Sequence, residues 1–423
     1  MTLAVKALKG FKDIIPGEVD TWQFIEQTAR SIFQRFGFSE IKVPILEKTK
    51  LFTRSIGETT DIVEKEMYTF PDRNGSSLTM RPEGTAPVLR AYIENGLYAV
   101  KPVQKLYTIG PMFRHERPQK GRLRQFHQMS VEVLGTDKPW LDADVMAMAW
   151  QILRELGLTA SLEINSLGCK ACRPSFNKAL LDFLDQAQGL CDDCLRRRQT
   201  NPLRVLDCKS SNCQEQYAQA PSILDFLCDG CRDHFTTVKE GLELLSVPYK
   251  VNSFMVRGLD YYTRTTFELV TSDLGAQSAV GAGGRYDGLV KQLGGPDVPG
   301  IGFALGVERL ALLLDQLGKG GSRPHVDLFI AALGSQAQEK AFVLTNMLRA
   351  NGLSVSMDLM DRSLKNQMKQ AGKAGARYAL ILGEQELENG EAVLRNMETH
   401  DQENVVIKED IELWSEEFAH IKH

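Results

Sequence analysis

The chain has 423 residues, 43% hydrophobic and 25% charged, with eight cysteines and a formal net charge of −4. The length predicts about two or three domains, and the composition is that of a globular protein with a substantial core. A net negative charge excludes a uniformly basic nucleic-acid binder, though a local basic surface stays compatible with it. No run of about 18 apolar residues predicts a membrane-spanning helix. The opening "MTLAVKALKGFKD" lacks a long apolar stretch of the secretory type, so a cytoplasmic protein is expected.

The first predicted element is a helix over Glu18 to Phe36, where Val19, Trp22, Ile25, Ala29, Ile32, Phe33 and Phe36 recur on one face and Gly37 follows. "SEIKVPI" then reads as a strand, and its Pro44 suits an edge or bulge that another subunit could meet. "EMYTFPDRNGSSLTMRPEGT" reads as a hairpin turning near Asn74-Gly75 and delivering Arg81, Glu83 and Thr85. A second hairpin is predicted in "LYTIGPMFRHERPQKGRLRQFHQMSVEVLG", with Pro118 to Gly121 at its tip. These are antiparallel signals rather than the regular alternation of a parallel sheet.

A helix over Ala143 to Leu156 and a cysteine-bearing region follow, before strands return near Tyr249 to Val270. There "RGLDYYTRTTFE" has strand composition, yet neither face is written for packing. Arg257, Tyr261, Thr263 and Thr265 would share one face, and Asp260, Tyr262, Arg264 and Glu268 the other. Linker composition marks "GKGGSRPH". Beyond it "VDLFIAAL", "LSVSMDL" and "YALILG" alternate with helical segments, as in a small α/β domain.

Between Arg114 and Arg124 five Lys or Arg face one Glu, a local charge of +4. Solvated hairpin tips carry such runs. Here, however, Arg114 and Glu116 share one strand face and Gln128, Ser130 and Glu132 another, which describes a polar cleft rather than a core. "VGAGGRYDGL" and "PGIGFALGVERL" fail the dinucleotide and phosphate-loop fingerprints. They leave close backbone approach and an early helical turn carrying Glu308 and Arg309. The arginine suits a polyphosphate, and a packing contact fits the spacing equally well.

All cysteines lie between Cys169 and Cys231. Cys169, Cys172, Cys191 and Cys194 fit a four-cysteine zinc template, and Cys208, Cys213, Cys228 and Cys231 form a looser copy. One or two structural zinc ions are expected, with the ligand pairing left open and His234 as a substitute ligand. Reduced bystander thiols are the alternative. Arg362, Lys365, Lys369 and Lys373 recur at helical spacing, as a solvated face or one that follows a phosphate backbone.

Taken together, these stretches carry a resemblance. "PMFRHERPQKGRLRQFHQ" resembles motif 2 of the class II aminoacyl-tRNA synthetases, "GIGFALGVERL" their motif 3, and the strand through Pro44 their motif 1. "RGLDYYTRTTFE" and "GGRYDGL" are similar to the signature peptides of the histidyl-tRNA synthetases, and the likeness runs from "KGFKDIIPGE" through nearly the whole chain. It implies an α+β fold: a mixed, mostly antiparallel catalytic sheet with helices (1–165 and 246–320), a cysteine-bearing insertion (166–245) and a C-terminal α/β anticodon-binding domain (326–423). It also implies a homodimer whose partners are L-histidine, ATP, Mg²⁺ and the histidine tRNA. Histidine and ATP would form histidyl-adenylate and pyrophosphate, and the histidyl group would pass to the 3′ end of the tRNA.

By the same resemblance Arg114 and Arg257 are the catalytic pair. Arg114, Glu116 and Arg309 would hold ATP, and Glu83, Gly84, Thr85, Gln128, Glu132, Arg257, Tyr261 and Tyr262 would hold histidine. The Lys120 to Arg124 loop is a candidate contact for the acceptor end. The resemblance adds nothing to the zinc expectation. Two other readings stand beside this one. One is a non-aminoacylating regulatory subunit of ATP phosphoribosyltransferase; the other is a zinc-ribbon nucleic-acid module on an idle scaffold.

Overall fold

The computed structural model describes residues 5–57, 60–208, 210–217, 219–271, 273, 279–321 and 326–421. The chain divides into two compact units, Met1–Gly321 and Ser322–His423. The expected linker falls at this division, and its residues 322–325 lie outside the described residues.

The first unit is built on strands β1 (Ser39–Glu40), β2 (Leu46–Lys48), β3 (Tyr68–Pro71), β4 (Ser77–Met80), β5 (Gln104–Phe113), β6 (Gln125–Leu134), β7 (Ser161–Ser166), β8 (Tyr249–Val251), β9 (Thr263–Val270), β10 (Ala279–Arg285) and β11 (Gly300–Gly306). Eight of them form one sheet in the order β1-β5-β6-β11-β10-β9-β7-β8. Only its two outermost pairs, β1 with β5 and β7 with β8, run parallel. The remaining three make a small sheet, β2-β4-β3.

Side chains of a strand alternate between faces, and that alternation separates core from cavity here. On β6, Met129, Val131 and Val133 enter a core with Ile25, Ile32 and Phe33 of helix Glu18–Arg35, Met146 and Ile152 of helix Pro139–Glu155, and Leu310 and Leu314 of helix Val307–Gln316. Gln128, Ser130 and Glu132 take the opposite face. On β11 the pattern repeats: Ile301, Phe303 and Leu305 join the core, while Gly302, Ala304 and Gly306 pair with Glu132, Ser130 and Gln128. The glycine-rich segment therefore clears a floor. A Cβ at Gly302 would fall on the Glu132 carboxylate.

Helix Asp229–Leu244, inside the expected insertion, contributes Phe235, Val238 and Leu242 to this same core. The residues before it keep a small separate core of Phe176, Leu180, Leu184, Val205, Tyr217 and Ile223, together with three cysteines. Between the helix layer and the sheet, Arg285 and Asp142 are fully buried and paired at 2.7 Å. His234 Nε2 lies 2.8 Å from the same carboxylate.

Two expected strands are corrected. The 39–45 strand ends at Glu40, and Pro44 lies between β1 and β2 rather than within either. The 257–268 stretch is a strand only from Thr263, and Arg257 to Tyr262 form a loop. Period-two facing does not apply to a loop, so Tyr261 and Tyr262, assigned to opposite faces, pack together with ring centroids 4.7 Å apart.

The second unit has the sheet order β13-β12-β14-β15-β16, from β12 (Leu328–Ala332), β13 (Val355–Met357), β14 (Tyr378–Leu382), β15 (Glu391–Asn396) and β16 (Gln402–Val406). The first three are parallel, as the strand–helix punctuation predicts, and β14-β15-β16 are antiparallel. Lys365, Lys369 and Lys373 are exposed on helix Leu364–Lys373. Arg362 precedes that helix and is held by Asp358 at 2.7 Å, so it is not part of the basic face.

Candidate active site

A cavity of about 470 Å³ opens on the polar face of β6 and β11. Its floor is cut low by Ala282, Gly302, Ala304 and Gly306. Six separate segments bring charged groups to it: the turn after β4, the β5–β6 hairpin, Asp207 of the insertion, the loop before β9, the end of β9, and helix Val307–Gln316. Arg114, Arg257 and Arg309, distant in sequence, all line this one space.

Each guanidinium that lines the cavity is positioned by contacts with its neighbours. Arg114 donates from Nε to the Pro82 carbonyl at 2.8 Å, lies 5.3 Å from the centre of the Phe126 ring and is 3.9 Å from Glu116. Arg257 pairs with Glu268 and lies 5.7 Å from the centre of the Tyr262 ring. Arg309 donates to the carbonyls of Ala279 and Gly121. Gly121, at φ 73°, makes the hairpin turn back over that arginine.

Burial lowers the Arg114 pKa most, against Glu66 and Glu83, and Arg257 adds to the lowering. Arg309 is lowered by burial, then by Arg122 and Arg114. For Arg257 burial also pulls downward, but Glu268 and the two tyrosines outweigh it and the net shift is upward. Partly buried guanidinium groups gathered on one cavity suit an anionic ligand.

On the other side the groups are acidic and phenolic. Glu83 accepts from the backbone N–H groups of Thr85 and Ala86, both at 2.8 Å, beside Gly84, the N-cap residue of helix Thr85–Glu94. Glu132 sits one layer beneath the lining, where it accepts from Thr85 Oγ1 at 2.7 Å and from the Tyr286 hydroxyl. Burial, with a smaller contribution from Glu83, pushes its carboxyl up to about 8 against those two hydrogen bonds. Gln128 Oε1, Ser130 Oγ and Arg257 Nε are buried without a hydrogen-bond partner among the described residues. Buried polar atoms are rarely left so without water or a ligand to complete them.

Thus every expected substrate or ATP residue except Glu132 lines the cavity. Sequence reasoning missed Arg122, which pairs with Glu116 and lines the cavity although its loop was set aside for the acceptor end. It also missed Glu268, Phe126 and Tyr286. Phe126 was recoverable from parity, two residues before Gln128 on the same strand face.

A raised acid beneath a pocket predicts proton linkage. An ammonium or N–H donor bound over Glu132 favours its ionised form, so ligand binding below about pH 8 releases a proton and affinity rises with pH toward that value. Calorimetry with the expected ligand, histidine, near pH 7.5, where free imidazole is mostly neutral, in buffers of different ionisation enthalpy should register release of roughly half a proton or more. Buffer-independent heats would remove Glu132 from the ligand's surroundings.

The cysteines form two clusters elsewhere, and their grouping corrects the spacing templates. One set is Cys169, Cys172, Cys228 and Cys231, and the other is Cys191, Cys194, Cys208 and Cys213. Within each, the sulfur atoms all lie within 4.8 Å of one another. His234, committed to Asp142, belongs to neither.

Comparison with known proteins follows this geometry. The family model described as histidyl-tRNA synthetase matches residues 10–227 and 210–310, and the anticodon binding domain model matches residues 327–417. A histidine–tRNA ligase of Desulfotalea psychrophila is 61% identical over 408 residues, covering 96% of this chain and 94% of that protein. A histidine–tRNA ligase of Geobacter sulfurreducens is 61% identical over 398 residues, covering 93% and 95%. The crystal structure of the apo histidyl-tRNA synthetase of S. aureus superposes with a TM-score of 0.82 at 38% identity, covering 97% of this chain and all of that one.

Proposed function

The chain belongs to the histidyl-tRNA synthetase family, and from that premise we propose how its own residues carry the reaction. It is a histidine–tRNA ligase, which activates L-histidine with ATP to histidyl-adenylate and transfers the histidyl group to the 3′ end of the histidine tRNA.

In the first step a carboxylate oxygen of histidine attacks the α-phosphorus of ATP. The new oxygen–phosphorus bond forms as the bond to the β-phosphate oxygen breaks, and pyrophosphate leaves with that electron pair. Two anions must meet, and negative charge gathers on the α-phosphate oxygens. Arg114 and Arg257 face that charge as fixed forks, and this stabilisation favours the transition state over the ground state. Arg309 and Arg122 serve the outer phosphates, and Glu116 receives the adenine amine. ATP arrives as its magnesium complex. Glu268, which lines the cavity beside Arg257, would offer that ion a carboxylate while most of its shell stays water and phosphate oxygen.

Histidine lies over Glu83, Thr85, Gln128 and Tyr261, with Glu132 beneath and Tyr262 at the side. The two buried acids accept from its α-ammonium and ring N–H, and the orphaned Gln128 oxygen and Ser130 hydroxyl complete the set. The convergence of Arg114, Arg257 and Arg309 on one cavity opposite this acid pair is the observation that carries the reading.

We further propose that the protein is a cytoplasmic homodimer. The short edge strand β1 and the half-exposed Ile45 and Leu46 nearby support a subunit contact. Lys365, Lys369 and Lys373, in the stretch matched by the anticodon binding domain, are proposed to follow the tRNA backbone. The cysteine sets are proposed as metal sites, argued below. No helix among the described residues is long and apolar enough to cross a membrane. The regulatory-subunit reading is less supported, since the anticodon-binding stretch and the phosphate-facing arginines are both present.

The test is exchange of labelled pyrophosphate into ATP without tRNA, with each of the twenty amino acids. Histidine alone should support exchange. A folded, magnesium-supplied protein inactive with histidine would favour the regulatory reading.

A further inference from the structure

We propose that the insertion is a two-zinc module in which Cys169, Cys172, Cys228 and Cys231 hold one ion and Cys191, Cys194, Cys208 and Cys213 hold the other. The inference is independent of the ligase reading, because none of these thiols faces the cavity.

Geometry argues for a single ion in each set. A zinc–sulfur bond of about 2.3 Å in a tetrahedron places neighbouring sulfurs roughly 3.8 Å apart. Cys169 and Cys172 are 3.7 Å apart, Cys169 and Cys228 3.9 Å, and Cys191 and Cys208 3.7 Å. These separations are far too long for disulfides. They are also too short for a multi-iron cluster, whose metal atoms would spread the thiolates beyond a one-ion edge. Four soft thiolates at tetrahedral spacing select zinc over harder cations.

The surroundings are built for thiolates. In the outer set the N–H of Cys228 donates to Cys172 Sγ at 3.2 Å. In the inner set Cys213 Sγ accepts from the N–H of Cys191 at 3.4 Å, and Cys194 Sγ accepts from the Tyr217 hydroxyl at 3.0 Å. Donors aimed at sulfur orient ligands and balance a four-thiolate site. Exposed Cys228 gives an ion a route in.

The topology explains what the ions would do. The outer set joins the point where the chain leaves β7 to the point where it re-enters helix Asp229–Leu244. The inner set closes the segment between. That segment has too small an apolar core to hold its short helices alone. Arg173, next to Cys172, also donates to the carbonyl of Tyr262, so the outer set adjoins the cavity lining.

The pairing makes opposite predictions for two double variants of the full chain, read by native mass spectrometry and elemental analysis. Wild-type protein should carry two zinc ions. Cys172→Ser with Cys228→Ser should retain one, because both belong to the outer set. Cys172→Ser with Cys191→Ser should retain none. Grouping in sequence order reverses these results, and the reversed pattern would overturn the proposal. Where a variant fails to fold, wild-type protein still tests the metal and its count: cobalt exchanged for zinc should give intense thiolate-to-cobalt charge-transfer bands from two tetrahedral sites. Fewer than about 0.5 zinc per chain with all thiols reduced, or iron as the bound metal, would also overturn it.

Discussion

Replacing Arg257 by alanine should slow adenylate formation by about 10²–10³-fold, the usual cost of losing one preorganised donor to transition-state charge, while histidine binding stays measurable. Arg257 is four-fifths buried, braced by Glu268 and by the Tyr262 ring, and its Nε is unpaired. Its charge is therefore kept in place before substrate arrives, without reorganisation at the moment of reaction. Lysine should fail nearly as badly, because it keeps the charge and loses the planar fork. The arginine removed also leaves Glu268 uncompensated. Arg257→Ala with Glu268→Gln separates the effects: if the double variant recovers the rate, the loss came from the orphaned carboxylate. Single-turnover measurement of adenylate formation is the readout, and an unchanged rate would remove Arg257 from catalysis.

Selectivity should depend as strongly on the acid pair. An aromatic amino acid without ring N–H groups, such as phenylalanine, should be activated about 10⁴–10⁵-fold less efficiently than histidine, since a pocket built on hydrogen bonds is left with unpaired polar groups by the wrong ligand. Glu132→Gln should lower kcat/KM for histidine by about 10²-fold, equivalent to losing one hydrogen bond to a charged group, and should also abolish the proton release. A merely structural role for Glu132 would not move the proton count.

The same substitution has a stability signature of known sign. A carboxyl raised by burial to about 8 supports the fold when protonated, and that support is lost as pH rises from the ordinary carboxylate range through about 8. Glu132→Gln should therefore flatten the fall in unfolding midpoint over that window. A retained slope would place its origin elsewhere.

Much of the site was legible because strand alternation is a local rule. Gln128, Ser130 and Glu132 were expected on one face of a hairpin strand, and they are; Phe126 obeys the same rule and was overlooked. The motif resemblance located Arg114, Arg257 and Arg309. Their convergence depends on β-strand pairing between residues more than a hundred positions apart, as where Gly302 lies beside Glu132. Spacing alone left the glycines of β10 and β11 balanced between packing and ligand approach. Those on β11 do both, packing against β6 while clearing the floor.

The sequence by itself determined the helices with one apolar stripe, both hairpins, the α/β character of the C-terminal unit and, through its motifs, the family. It did not determine where Arg257 to Tyr262 leave the strand, since composition favouring extension is common to strands and extended loops. Nor could it choose the partners of eight cysteines: spacing ranks neighbours along the chain, whereas a tetrahedral site ranks them in space. Only the fold, by returning the chain from the insertion to the place it left, brought Cys228 and Cys231 to Cys169 and Cys172.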